Sequence, residues 1–338
     1  MRQDWAWITP LASGRAGSLD LCGPRERLAL SLAAVIFASA TPLRAHIDGA
    51  PLEPHDFWTT WSLQPSVVLP LAITVAIYAR GVHLAWRKAG LGRGVRIWQT
   101  GSFFIGILGL IAALVWPLDA LGESLFAAHM GQHIVLMGLA APFLVLGHPV
   151  QTMMRALPRR WQRSLASLAA SNPWRRGWGW LTAASVATVL QLVVFLFWHA
   201  PPAIAVSLEN DVVHSIMHGS IFACALLFWT AIARKHGGGL GAGVLALLIT
   251  FKFSLITGAL LAFAPVAFYA SYGTRSAAWG FSLLEDQQLA GLLMMVVGSM
   301  MYVLAAVILI GVWLSASERM HQLQSRTLTV RAQKSPAE

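Results

Sequence analysis

The sequence predicts an all-α fold, a polytopic transmembrane helix bundle of about seven spans after an N-terminal signal or anchor segment. Three observations carry that prediction. Of 338 residues, 57% are hydrophobic and only 11% are charged, whereas soluble domains carry about 25% charged residues. The mean hydropathy is +0.63, and the apolar residues come in blocks close to the roughly 20 that a helix needs to cross a bilayer. The basic residues, finally, cluster in alternate connections between those blocks.

Residues 1–27 are irregular and include Arg15, Arg25 and Arg27, and a short apolar stretch, Leu28–Thr41, follows with Ala38-Ser39-Ala40 inside it. A basic lead, a short apolar stretch and an AxA-like site read as a secretory signal or a retained anchor. Residues 1–45 form this segment and 46–64 a periplasmic segment. Seven spans follow within 65–315, at Pro65–Trp86, Ile97–Trp116, Ser124–Leu146, Trp178–Trp198, Val212–Ala233, Leu240–Ala264 and Gln288–Trp313, and 316–338 form a tail. Tryptophans such as Trp86, Trp98, Trp116, Trp198 and Trp313 fall near span ends, where amphipathic rings settle at the interface. The long loop from Gly147 to Gly177 is basic, and its Trp161 and Trp174 suit a segment lying on the membrane surface.

Charge sets the expected orientation. Arg87, Lys88, Arg93 and Arg96 follow the first span, and Arg155, Arg159, Arg160, Arg163, Arg175 and Arg176 follow the third. Arg234 and Lys235 follow the fifth, and Arg319, Arg326, Arg331 and Lys334 follow the last, whereas the other set of connections holds only Arg44 and Arg275. The positive-inside rule then puts the mature N-terminus outside the cytoplasm and the C-terminus inside it, in a multi-pass arrangement. The net charge of +10 is accounted for by these clusters and does not call for nucleic acid. Cys22 and Cys224 lie far apart and make neither a disulfide framework nor a CxxC site.

The eleven histidines sort by side. His83, His148, His236 and His321 fall at or beyond the ends expected to be cytoplasmic, and His46, His55, His129, His133, His199, His214 and His218 on the other side. His46, His55 and His83 read as solvated interfacial residues. His129 and His133 are four apart near the start of one span, as are His214 and His218 in another, and His199 closes a third. A spacing of four stacks two imidazoles on one helix face, within reach of a common metal ion. Polar groups in membrane segments are costly, so their default reading is functional. Asp286 opens the last span at the same level; it suits a metal ligand, a hydrogen-bond partner that orients an imidazole, or a helix N-cap.

The expected metal set is therefore His129, His133, His199, His214, His218 and Asp286. Imidazoles with neighbouring thioethers (Met130 and Met217 adjoin the histidines, while Met294, Met295, Met300 and Met301 read as packing) suit copper, with zinc open on ligand type alone. Two histidines one turn apart on one helix cannot both ligate one haem iron, so haem needs one histidine from each of two helices. Lys252, near the middle of its span, is expected to face the bundle interior or a polar partner. It is almost alone at mid-depth, which argues against a continuous transport path. No nucleophile–base arrangement is evident, so the chain is not expected to be an enzyme.

The same residues resemble a known family. His129-Met130-Gly131-Gln132-His133, then Ala141-Pro142, Leu146-Gly147-His148-Pro149 and Trp198-His199-Ala200-Pro201 carry the likeness. His214 through His218, Phe228-Trp229, and the run from Glu285 through Asp286, Gln287 and Gln288 to Met294 complete it. Over roughly residues 60–313 the chain resembles the multi-spanning CtaG family of cytochrome c oxidase assembly factors. It departs from that family's pattern at Met217, commonly glutamate, and at Met295, commonly tryptophan. The resemblance implies a membrane assembly factor for cytochrome c oxidase, with oxidase subunits and the lipid bilayer as partners. It also implies that the five histidines and Asp286 match the family's motif residues. The expected role is copper binding at the periplasmic face to help metallate an oxidase subunit; a haem-binding membrane redox protein or a metal transporter are the alternatives.

Overall fold

The fold was obtained as a computed structural model, which describes Leu52–Arg234 and Gly239–Lys334. Every regular element among the described residues is helical. The expected signal or anchor segment, with His46, lies outside the described residues, as do Lys235 and His236.

The helices are α1 (Pro65–Ala89), α2 (Ile97–Leu114), α3 (Phe126–Leu146), α4 (Pro149–Ala156), α5 (Arg159–Ala170) and α6 (Asn172–Leu181). They continue with α7 (Ala184–Trp198), α8 (Pro201–Glu209), α9 (Asp211–Ala233) and α10 (Gly239–Ala262). Last is α11, which runs from Leu283 to Lys334. Among the described residues six helices are long and apolar enough to cross a membrane: α1, α2 with the short helix Leu118–Gly122, α3, α9, α10 and α11 over Leu283–Ser315. A seventh is obtained if α6 and α7 count as one broken span bent by 61°. The bend corrects the expected fourth span, Trp178–Trp198. Ala183 takes an extended backbone, so the segment does not continue as one straight helix. The last helix also begins five residues before the expected Gln288, because Ser282 and Glu285 form a reciprocal capping box at its start.

The described residues group into two compact units. The first holds the chain up to Leu121 together with Phe143–Leu181. Its core is the stacked pair Tyr78 and Phe103, 3.6 Å between ring centroids. The Tyr78 hydroxyl donates to Gly147 O at 3.0 Å, and the Trp86 indole to Val95 O at 2.8 Å. The amphipathic connection α4 to α6 leaves Trp161 and Trp174 exposed.

The second unit holds Gly122–Pro142 and the chain from Thr182 onward. Its helices pack through small residues. A side-chain carbon at Gly258 would lie 2.5 Å from Met295 N, and one at Gly291 would strike the Ala262 backbone. Glycine at both positions lets α10 and α11 approach closely, as small-residue interfaces do in membranes. The Trp229 indole of α9 donates to Met137 O of α3 at 2.7 Å and stacks on Tyr302 of α11.

Two expectations about mid-depth polarity are corrected here. Lys252 is exposed rather than turned into the bundle, since its side of α10 carries the outward residues Leu248 and Ile256. Nor is it nearly alone: Thr188, Gln191, Thr250, Ser254 and Ser299 are all buried in the spans of this unit. They escape a hydropathy reading because their helices stay strongly apolar on average. The threonines return a hydrogen bond to the carbonyl four residues back, which lowers the cost of burial.

Candidate metal centre

All six expected site residues belong to the second unit. The five imidazoles converge. Ring centroids lie 4.8 Å apart for His129 and His133, 4.5 Å for His214 and His218, and 5.6 Å from His129 to both His214 and His218. His133 lies 5.4 Å from His218 and 5.3 Å from His199. His129, His133, His199 and His218 are buried, and His214 is partly exposed. One ring nitrogen each from His129, His133 and His218 all lie within 4.8 Å of one another. Donors bound ~2 Å from one metal stand about 3.5 Å apart, so a small inward shift would close three imidazoles on an ion.

Asp286 takes a different place. Its carboxylate accepts from Phe126 N at 2.7 Å and Ala127 N at 3.0 Å, the first amides of α3. These are amides that a helix start leaves without internal partners, and Leu125 at the cap supplies no side-chain acceptor. A buried carboxylate here meets both the open N–H groups and the positive end of the helix dipole. Asp286 thus caps the helix that carries His129 and His133, rather than its own. Its neighbours do related work. Gln287 Nε2 donates to Val266 O and Gln288 Nε2 to Ala264 O, each at 3.2 Å, while Gln287 Oε1 accepts from Phe268 N at 2.6 Å. The aspartate–glutamine run pins both the start of α3 and the segment leaving α10.

Two tyrosines that sequence reasoning missed complete the surroundings. The Tyr272 hydroxyl lies 3.0 Å from Gly122 O and 3.1 Å from His129 Nδ1. Burial first, then the nearby Asp286 carboxylate, holds this phenol well above its ordinary pKa, so it keeps its proton. A carbonyl can only accept. Both contacts are therefore satisfied together when Tyr272 donates to Gly122 and accepts from a protonated His129 Nδ1. That assignment leaves His129 Nε2 bare. The same logic applies to His199, whose Nδ1 lies 2.7 Å from Phe195 O and must be its protonated nitrogen. Tyr269, its phenol pushed up to about 12 by burial, donates to His199 O at 2.7 Å and packs on Phe126. Neither tyrosine has a periodic context, so only the fold brings them to the histidines.

The outcome is a set of buried nitrogens without hydrogen-bond partners: Nε2 of His129, His199 and His218, and both ring nitrogens of His133. Buried polar atoms are nearly always paired. Several unpaired lone pairs on imidazoles, two with the tautomer fixed from behind, are donors that could hold a metal ion. His55, in the first unit, is exposed between Glu53 and Asp56, and His83 is exposed as well.

Residues 76–316, which include the five clustered histidines, Asp286 and both tyrosines, match the cytochrome c oxidase caa3 assembly factor family. The chain belongs to that family. The membership agrees with the resemblance read from the paired histidines and the aspartate–glutamine run. The chain is also similar to uncharacterized proteins of Mycobacterium bovis and Mycobacterium tuberculosis, each 24% identical over 307 residues, covering 80% of this chain. It spans about 45% of the length of these relatives. No solved structure matches it. Within this chain the motif residues thus divide by job: the histidines bring open nitrogens together, and Asp286 with its glutamines holds the backbone that carries them.

Proposed function

We propose that this oxidase assembly factor is a carrier rather than a catalyst, which takes copper as cargo on His129, His133 and His218. His199 and His214 serve as flanking ligands, and the cargo passes to an oxidase subunit at the periplasmic face. The observation that carries the reading is the group of buried imidazole nitrogens with no hydrogen-bond partner. Neutral imidazole suits both oxidation states of copper. Two further candidate donors beside three close ones permit stepwise ligand exchange, which delivery requires. His214, the most accessible of the five, is the natural point of handover. Asp286 acts through position, holding the first turn of α3 so that His129 and His133 stay aimed inward.

Haem fits less well. Imidazole rings 4.5–5.6 Å apart in edge-to-face contact leave no slot for a macrocycle between the members of these pairs. Two measurements test the proposal. Purified wild-type protein should retain copper, and the double variant His129→Ala, His133→Ala should lose it; unchanged content in the variant would remove the ligand assignment. Deletion of the gene should leave the oxidase with its haem but short of copper, and normal copper loading would end the delivery role.

A further inference from the structure

Farther along the same helices, the histidines open onto a cavity within the second unit. Four of the chain's eleven methionines, Met130, Met137, Met294 and Met301, line it together with His133 and His199. We propose that this cavity is a second copper station, specific for Cu(I) and built from thioethers, which exchanges with the histidine set through His133 and His199. The proposal rests on the copper reading of the histidines and adds a separate site to it.

Methionine often fills irregular gaps in apolar cores, so thioethers alone would not distinguish a site from packing. Three other features do. First, the cavity receives open donors: both ring nitrogens of His133, Nε2 of His199 and Oε1 of Gln191 are buried without hydrogen-bond partners. A gap filled only for packing would not be bordered by such atoms, each of which costs free energy when left unpaired.

Second, two helices depart from α geometry here. Val135–Ala140 in α3 and Met294–Gly298 in α11 are π-helical, and both contribute walls, through Met137 and Gly138 on one side and Met294 and Gly298 on the other. Single π turns inside α-helices recur at functional sites. Third, room is kept for a sulfur. A side-chain carbon at Gly138 would collide with Met301 Sδ, so the glycine admits that thioether to the wall.

Uncharged, polarizable sulfur selects Cu(I) over the harder divalent ions. A monovalent ion surrounded by neutral donors is also the least costly metal charge to place in an apolar bundle. Transfer between the stations is ligand exchange alone, with copper entering and leaving as Cu(I) and no electron moved.

The test uses full-length protein in detergent, loaded without oxygen from a weakly chelated Cu(I) salt, and read by X-ray absorption at the copper edge. Wild type should show both nitrogen and sulfur neighbours. The near-isosteric triple variant Met137→Leu, Met294→Leu, Met301→Leu should lose the sulfur signal and part of its copper while keeping imidazole-bound copper. Because three core substitutions can disturb folding, selenomethionine-labelled wild type supplies an independent reading, in which copper–selenium scattering should appear. Copper bound through nitrogen alone, in wild type and in labelled protein, overturns the thioether station and leaves the histidine proposal standing. Sulfur scattering that is unchanged in the triple variant overturns it as well. Protein that retains no Cu(I) at all overturns the thioether station, and protein that retains neither Cu(I) nor Cu(II) overturns both.

Discussion

Tyr78 and His129 are both fully buried polar rings on apolar helices, yet one unit closes its polar side chain and the other leaves its own open. In the first unit the Tyr78 hydroxyl is used by Gly147 O, with Gln99 O nearby at 3.4 Å, and its ring face is covered by Phe103. In the second unit Tyr272 satisfies only the rear nitrogen of His129, and the forward nitrogen faces other imidazoles. A satisfied buried group contributes to stability. A group oriented from behind and left open in front is available to a ligand. The contrast separates two kinds of buried polarity that hydropathy alone treats alike.

The sharpest way to break the contrast is to remove what supports the open side. Asp286→Ala should strand two buried amides at the start of α3, costing about 3 kcal/mol from ~1–3 kcal/mol for each unpaired group, and copper retention should fall with it. Thermal unfolding in detergent with parallel metal analysis reads both. Asp286→Asn should recover part of the stability, since one amide oxygen can still accept.

Tyr272→Phe removes the support of His129 without touching a proposed ligand. Copper affinity should drop about tenfold or more, as for lost partners of metal-bound histidine, with a stability loss of only about 1 kcal/mol. A competition titration against a chelator separates the two effects. Tyr78→Phe tests the closed side: it should cost about 1 kcal/mol of stability and leave copper content at the wild-type level. His55→Ala, at an exposed ion-paired site, should change neither stability nor copper measurably. If Tyr78→Phe lowered copper as far as Tyr272→Phe, the distinction between closed and open polarity would fail.

Much of the architecture was legible from hydropathy, because a membrane demands long apolar helices and leaves few alternatives. The broken fourth span was not, since the break at Ala183 is a backbone event in a segment of unremarkable composition. The convergence of the histidine pairs was legible from their spacing and common end. The task of Asp286 was not: its partners are 160 and 159 positions away, and local capping logic pointed instead to its own helix, where Ser282 already serves. Met294 and Met301 were legible only as packing, and Met130 as a thioether adjoining the histidines. Only the shared cavity, with Gln191 and two imidazoles at its walls, gives them a common address.

The π segments carry one more consequence, for how the length of this chain can change. In an α-helix each residue turns the chain by about 100°, so one residue gained or lost between His129 and His133 would rotate the two apart. A π turn already accommodates a wider loop of backbone. Removing one residue within Val135–Ala140 or Met294–Gly298 would tighten that turn toward α geometry while the faces before and after it keep their bearing. These two stretches are where α3 and α11 should tolerate a deletion with the histidines still aimed at one another, and where such a deletion would reshape the cavity alone.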